Sequence, residues 1–351
     1  MGKGAATRGR YKYELWPANN KFFCGGKVIT GPDYRNTFAT LLLVIIPVGL
    51  YFGIIIAYLT SHWKAGGYTF LALTIFFACI SIITLLLTAT DDPGIIPRQS
   101  VEPRDVIRNP RTGFPLPKEI IVNGHPYSLK YCETCRIWRP LRASHCSTCN
   151  NCVERFDHHC PWLGNCIGRR NYRTFYIFIC STTILCCLVI ASAAVSLKLK
   201  TDASSLHHSD AEAFGFALAS PLVISFILII YCFIAMLFTG GLFIFHTILV
   251  FRNRTTAETL KYSWKEVTTL EPRGLHSFCH LICGKKPPSK IKVGVEHPTR
   301  VTPFKVMMRR DEEEEEEENG RNEIEENTND GHSREWNKLH YLQQQDEEQQ
   351  I

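Results

Sequence analysis

A length of 351 residues with fifteen cysteines excludes a small secreted disulfide scaffold, which would be short and would follow a cleavable signal peptide. The formal net charge of +6 and a mean hydropathy near zero conceal two populations, with apolar residues gathered in four blocks and charge gathered between them and in the tail. Length alone suggests about two soluble domains, and the four blocks exclude that arrangement.

The opening Met1-Gly2-Lys3-Gly4-Ala5-Ala6 has no early apolar core, so no signal peptide is expected. Ala6 stands where an N-myristoylation signal wants Ser or Thr. Residues 1–36 form a basic N-terminal segment, and apolar stretches follow at 37–59, 68–88, 175–197 and 214–251. Each reaches the roughly 20 residues that cross a hydrocarbon core as a helix, and none holds Asp, Glu, Lys or Arg. Buried helices of a soluble protein would be shorter and would keep a polar face. The fourth stretch exceeds one straight span, and Pro221 or Gly240-Gly241 mark the places for a bend. Two spans joined at those glycines would leave the second too short. The expected fold class is therefore an all-α polytopic membrane protein, with helices 1 and 2 in residues 37–90 and helices 3 and 4 in 174–251. A cysteine-rich domain lies between the second and third.

Basic residues set the expected orientation. Lys3, Arg8, Arg10, Lys12, Lys21, Lys27 and Arg35 precede the first span. The middle loop, residues 91–173, carries Arg136, Arg139, Arg142, Arg155, Arg169, Arg170 and Arg173. The connector 61–67 has only Lys64, and in 198–213 the charges of Lys198 and Lys200 are offset by Asp202, Asp210 and Glu212. Both termini and the middle loop are thus expected in the cytosol, where thiols stay reduced and free for metal or chemistry. The sequon Asn253-Arg254-Thr255 then stays unmodified. Residues 252–300 form a cytosolic C-terminal region, and 301–351, with an unbroken acidic run from Asp311 to Glu318, read as a disordered solvated tail.

The middle loop concentrates soft ligands: Cys132, Cys135, His145, Cys146, Cys149, Cys152, His158, His159, Cys160 and Cys166. Three Cys-x-x-Cys spacings, at 132/135, 146/149 and 149/152, with interspersed histidines point to zinc, since such pairs on tight turns present two thiolates to one tetrahedral ion. Ten candidate ligands serve at most two closed four-ligand sites and leave two over. In an extended segment His158 and Cys160 share one face and His159 takes the other. His159 then holds zinc while His158 and Cys160 meet, the imidazole drawing off the thiol proton and Asp157 orienting it. On spacing alone, a non-catalytic zinc module with Cys160 as one more ligand remains the alternative.

The run Cys132-Glu133-Thr134-Cys135, Arg139-Pro140, Arg142-Ala143-Ser144-His145-Cys146, Cys149, Cys152, Asp157-His158-His159-Cys160-Pro161-Trp162 and Asn165-Cys166-Ile167-Gly168 resembles the cysteine-rich domain of the DHHC protein S-acyltransferases. Asp92-Pro93-Gly94 after the second span and Thr255-Thr256-Ala257-Glu258 after the fourth resemble the family's flanking motifs, and the domain occupies about residues 129–173. The segments Leu15-Trp16-Pro17 and Asn20-Lys21-Phe22-Phe23-Cys24-Gly25-Gly26 are similar to the branch that contains Ras palmitoyltransferases, which implies an accessory subunit as an option.

The resemblance implies two structural Zn²⁺ sites, one held by Cys132, Cys135, His145 and Cys152, the other by Cys146, Cys149, His159 and Cys166. It implies Cys160, His158 and Asp157 as catalytic residues, with Thr256 fixing the loop near Asp157 and Glu258 bracing the domain. The implied reaction is ping-pong transfer of a palmitoyl group from a long-chain acyl-CoA to cysteine thiols of cytosolic-face substrate proteins, through acyl-Cys160. The chain would lie among the spans, since burying about fourteen methylenes at roughly 0.8 kcal/mol each favours an apolar cavity. Arg136, Arg139, Arg142, Arg169, Arg170 and Arg173 are candidates for the CoA phosphates. The lipid bilayer is the expected environment, in Golgi, endoplasmic reticulum or plasma membrane, and no nucleic-acid partner is expected. A membrane-anchored zinc-binding adaptor is the competing reading. A channel is disfavoured by spans without the ionisable residues that mark an ion path. Cys180, Cys186 and Cys187 read as packing residues, while Cys24, Cys279 and Cys283 are cytosolic thiols open to acylation.

Overall fold

The computed structural model describes residues 16–122, 124–205, 209–261 and 273–291. Gly2, Leu15 and the acidic run from Asp311 lie outside the described residues. A short antiparallel hairpin, β1 (Lys21–Phe23) and β2 (Val28–Thr30), precedes the first span.

That span runs from Arg35 to His62 as α1 (Arg35–Leu50), a π-helical turn (Tyr51–Ile56) and α2 (Ala57–His62). Pro47 sits inside α1 and has no N–H to give the carbonyl one turn back. The Tyr231 hydroxyl donates to that carbonyl, Leu43 O, at 2.7 Å. The second span is α3 (Lys64–Thr90) and the third α4 (Tyr172–Ser205). A separate helix, α5 (Asp210–Ala219), starts at a capping box of Ser209 and Glu212, and the fourth span, α6 (Val223–Phe251), follows. The break therefore falls at Pro221, while α6 runs unbroken through Gly240-Gly241. Proline ends a helix by lacking a donor, whereas glycine keeps its backbone bonds. Two short helices, α7 (Thr256–Lys261) and α8 (Leu275–Cys283), complete the described chain.

The four long apolar helices and the cysteine-rich region between the second and third match the expected fold class. Large apolar side chains such as Phe38, Phe76, Ile234 and Ile244 are exposed on the helices, a surface suited to lipid rather than water. Inside, hydroxyl pairs join the spans, with Ser81 and Ser181 at 2.9 Å, Ser196 and Ser225 at 2.9 Å, and Ser192 donating to the Tyr51 hydroxyl at 3.0 Å. In an apolar bundle such small polar contacts bind helices together.

The region between α3 and α4 is built from short antiparallel pairs. They are β3 (Ile95–Ile96) on β9 (Asn151–Val153), β4 (Lys118–Val122) with β5 (His125–Leu129), β6 (Tyr131–Cys132) with β7 (Ile137–Trp138), β8 (Ser144–Cys146) on β9, and β10 (His158–Cys160) with β11 (Asn165–Ile167). Little apolar mass supports these strands, because their centre is filled by cysteines.

Candidate active site and metal centres

Strand register assembles the ligand sets. On β8 and β9, His145 faces Cys152, and the β6–β7 turn, with Arg136 at φ 51°, brings Cys132 and Cys135 alongside. His145 Nδ1 lies 3.4, 3.5 and 3.8 Å from the sulfurs of Cys132, Cys135 and Cys152. On β10 and β11, His159 faces Cys166. Its Nδ1 lies 3.8, 3.4 and 3.6 Å from Cys146, Cys149 and Cys166. A tetrahedral zinc with bonds of about 2.3 Å to sulfur and 2.0 Å to nitrogen separates its ligands by roughly 3.5–3.8 Å, so both sets fit the ion. The third Cys-x-x-Cys is divided, Cys149 joining the second set and Cys152 the first.

The thiols of each set compete for ionisation. Hydrogen bonds from Cys135 and Cys152 pull the Cys132 thiol well down, while Cys132 and Cys135 drive Cys152 well above an ordinary thiol. In the second set Cys146 is lowered by Cys149 and Cys166, and Cys166 is raised in return. Three thiolates at this spacing ionise together only around a cation. His159 also contacts a residue that sequence reasoning missed, its Nε2 lying 2.8 Å from Asp33 Oδ2. A carboxylate on the far nitrogen fixes a ligating imidazole's tautomer and orientation.

The other face of β10 carries different groups. Asp157 is 1 % exposed. Its Oδ2 accepts from His158 Nδ1 at 2.6 Å and from the Thr256 hydroxyl at 2.8 Å, while its Oδ1 accepts the Thr256 N–H at 2.8 Å. Burial disfavours the His158 imidazolium, but the hydrogen bond to Asp157, then that to Cys160, outweighs it and pushes His158 up to about 9. Burial likewise raises Asp157, yet the His158 hydrogen bond leaves it below the usual carboxylate range. The chain turns at Glu154 and Arg155 ahead of β10, and Thr256 at the start of α7 holds Asp157 beside His158.

Cys160 is buried and lines an apolar cavity of about 510 Å³ between α1, α4 and α6, whose walls include Val48, Phe175, Val189, Tyr231 and Phe238. The loop after Cys160 is pinned from the N-terminal side. Thr37 donates to Leu163 O at 2.9 Å, Thr40 to Trp162 O at 2.6 Å, and the Gly31 N–H to Gly164 O at 2.8 Å. A Cβ on Gly164, which has φ +58°, would meet Asp33 O at 2.6 Å, so the two segments touch backbone to backbone. No local signal in the sequence marks these residues, which contact the loop across more than 120 positions. A buried histidine of the fourth span, His246, was also missed.

The expected phosphate-binding arginines divide by their partners. Arg142 forms a bidentate pair with Glu258 at 2.6 and 2.9 Å. Arg170 pairs with Asp92 at 3.1 Å, Arg139 donates to Lys130 O at 3.3 Å, and Arg136 donates to Ser100 O. Asp92 also caps Gly94 and Ile95 at 2.9 and 2.8 Å, which gives the Asp-Pro-Gly run its turn. Arg170, together with Arg169, Arg173, Arg254, Lys285 and Lys286, also lines a basic cavity of about 330 Å³, walled also by Tyr172 and Thr255.

A family model described as DHHC palmitoyltransferase matches residues 125–263. Protein S-acyltransferase 8 of Arabidopsis thaliana is 39% identical over 293 residues, covering 79% of this chain and 70% of its own length. Probable protein S-acyltransferase 6 of the same plant is 38% identical over 288 residues, covering 79% of this chain and 68% of its own.

Proposed function

Because this chain belongs to the DHHC palmitoyltransferase family and is a protein S-acyltransferase acting on protein substrates, we propose that Cys160 is its nucleophile, His158 its base and Asp157 the residue that orients His158. The observation that carries this reading is the opening of Cys160, beside His158, into the apolar cavity between the spans.

His158 takes the Cys160 proton, and the sulfur attacks the thioester carbonyl of a long-chain acyl-CoA. The tetrahedral adduct collapses, the bond to the CoA sulfur breaks, and His158 returns its proton to the leaving thiol. A substrate cysteine then gives its proton to His158 and attacks acyl-Cys160, releasing the Cys160 thiolate, which recovers the proton. One thioester is exchanged for another at each step, so no ATP is required. The cavity takes the acyl chain, where each buried methylene contributes about 0.8 kcal/mol. From Phe175 to Val189 the α4 wall spans fifteen residues, about 21 Å at 1.5 Å of rise per step, a depth suited to an extended long chain. The basic cavity beside Tyr172 receives the CoA phosphates.

Cys132, Cys135, His145 and Cys152 hold one zinc, and Cys146, Cys149, His159 and Cys166 the other. Bound zinc supplies a rigid clamp for strands with little core of their own. The positive-inside pattern supports placing both termini and this region in the cytosol, in a membrane of the endomembrane system or at the plasma membrane.

The test is incubation of the purified protein with labelled palmitoyl-CoA. Wild type is expected to take up hydroxylamine-sensitive label, and Cys160→Ser to take up none while keeping two zincs. Labelling of Cys160→Ser at the wild-type level overturns the assignment, and loss of zinc from it favours a ligand role for Cys160.

A further inference from the structure

Among the described residues, the proposed reaction leaves one buried histidine without a role. His246 is 2 % exposed, near the end of an α6 otherwise free of ionisable groups apart from Tyr231 and Cys232. A polar group at such a position is kept for function more often than for packing. Its Nδ1 lies 3.0 Å from the Tyr172 hydroxyl at the start of α4. Polar atoms of Asp157, His158 and His246 all lie within 4.8 Å of one another.

The rings around it form a bracket. His246 packs edge-on against Phe175 with centroids 4.9 Å apart, and Phe175 packs edge-on against His158 at 5.5 Å. His246 itself faces His158 at 6.0 Å. Asp157 fixes one nitrogen of His158, and a single hydrogen bond fixes a point, not a plane. The imidazole can still swing about that nitrogen, carrying its other nitrogen away from Cys160. Phe175 and His246 flank that swing, and the Tyr172 hydroxyl holds one nitrogen of His246 in place.

We infer that His246, held by Tyr172, is a positioning residue for His158. The inference rests on the reading of His158 as the base. It ties proton transfer to the packing of α4 against α6, two of the helices that wall the cavity, and Phe175 belongs to both the bracket and the cavity wall.

The experiment is single-turnover loading of the purified protein with labelled palmitoyl-CoA, with zinc counted for each variant. His246→Phe keeps a ring but no nitrogen, Tyr172→Phe removes one hydroxyl, and His246→Asn keeps a polar atom near the place of Nδ1. Misplacing a reacting group by a fraction of an ångström slows a step by about tenfold. His246→Phe and Tyr172→Phe should each show that loss, and His246→Phe, which lies outside the lining of both cavities, should show it at an unchanged half-saturating acyl-CoA concentration. The double variant should be no slower than either single, because both break one bond, and His246→Asn should recover most of the rate. Wild-type loading by both single variants, or losses that multiply in the double, overturns the inference. Should His246→Phe retain fewer than two zincs, Tyr172→Phe and His246→Asn decide it. Cys160→Ser runs in parallel: label on that variant sinks the catalytic reading, whereas a blank Cys160→Ser beside fully active His246 and Tyr172 variants sinks only this one.

Discussion

Asp33 Oδ2 lies 2.8 Å from His159 Nε2, so a residue just ahead of the first span holds the imidazole whose other nitrogen faces Cys146, Cys149 and Cys166. Carboxylates in this outer position typically change metal affinity by about 10–100-fold. Asp33→Ala is therefore expected to speed zinc release from the second set into a chelator by about tenfold or more, with the set around His145 unchanged. Release of both zincs at wild-type rates would remove Asp33 from the metal site.

The same approach explains a glycine. Gly164 has φ +58°, and a Cβ there would lie 2.6 Å from Asp33 O, whereas Gly25 has φ +66° with nothing within 4 Å. A left-handed conformation alone costs a non-glycine residue roughly 1–2 kcal/mol. Gly25→Ala should show that cost and no more. Gly164→Ala should lose the docking of the N-terminal segment as well, seen as a larger drop in melting temperature together with slower palmitoyl loading. Equal effects of the two changes would mean that the contact is not needed.

Much of this arrangement is legible in one dimension. The four spans show as charge-free runs of membrane-crossing length, and the metal region shows as paired cysteines with interleaved histidines. The two-residue alternation of an extended strand is enough to separate His158 and Cys160 from His159. Other features carry no local pattern. Asp33 is an unremarked carboxylate until the chain folds back over 126 positions, and His246 is one polar residue in an apolar helix. Arg142 looks like a phosphate ligand by sequence, but its bidentate bond to Glu258 makes it a structural cation. Partner choice of this kind depends on tertiary contacts, which residue type and spacing do not encode.

Adjacent histidines should fail in different ways. His158 contacts Asp157 at 2.6 Å, and His159 contacts the sulfurs of the second set at 3.4–3.8 Å. His158→Ala is expected to keep two zincs and to lower palmitoyl loading by about 10²–10⁴-fold, the usual contribution of a positioned base. His159→Ala is expected to hold one zinc and to melt at lower temperature, its loss of activity following from unfolding. Paired zinc and loading measurements on each variant check this, and one zinc in His158→Ala would reverse the roles.

The bond between Arg142 and Glu258 joins the segment after the fourth span to the cysteine-rich region. Both side chains are more than nine-tenths buried, at 8% and 7% exposure, and Arg142 also donates to Asn253 O at 2.9 Å. Removing one partner of such a pair leaves a buried charge uncompensated and costs about 3–5 kcal/mol, whereas replacing both by apolar groups of similar size is often neutral. Glu258→Ala should therefore be strongly destabilising in detergent melts. It should also slow loading, because Glu258 anchors the Thr255 N–H at 2.9 Å and Thr256 in turn holds Asp157. Arg142→Met combined with Glu258→Leu should recover most of the stability. It should recover less of the activity, since neither replacement accepts the Thr255 N–H and the grip on Asp157 stays loose. Full recovery of both properties would show that Glu258 acts on the fold alone.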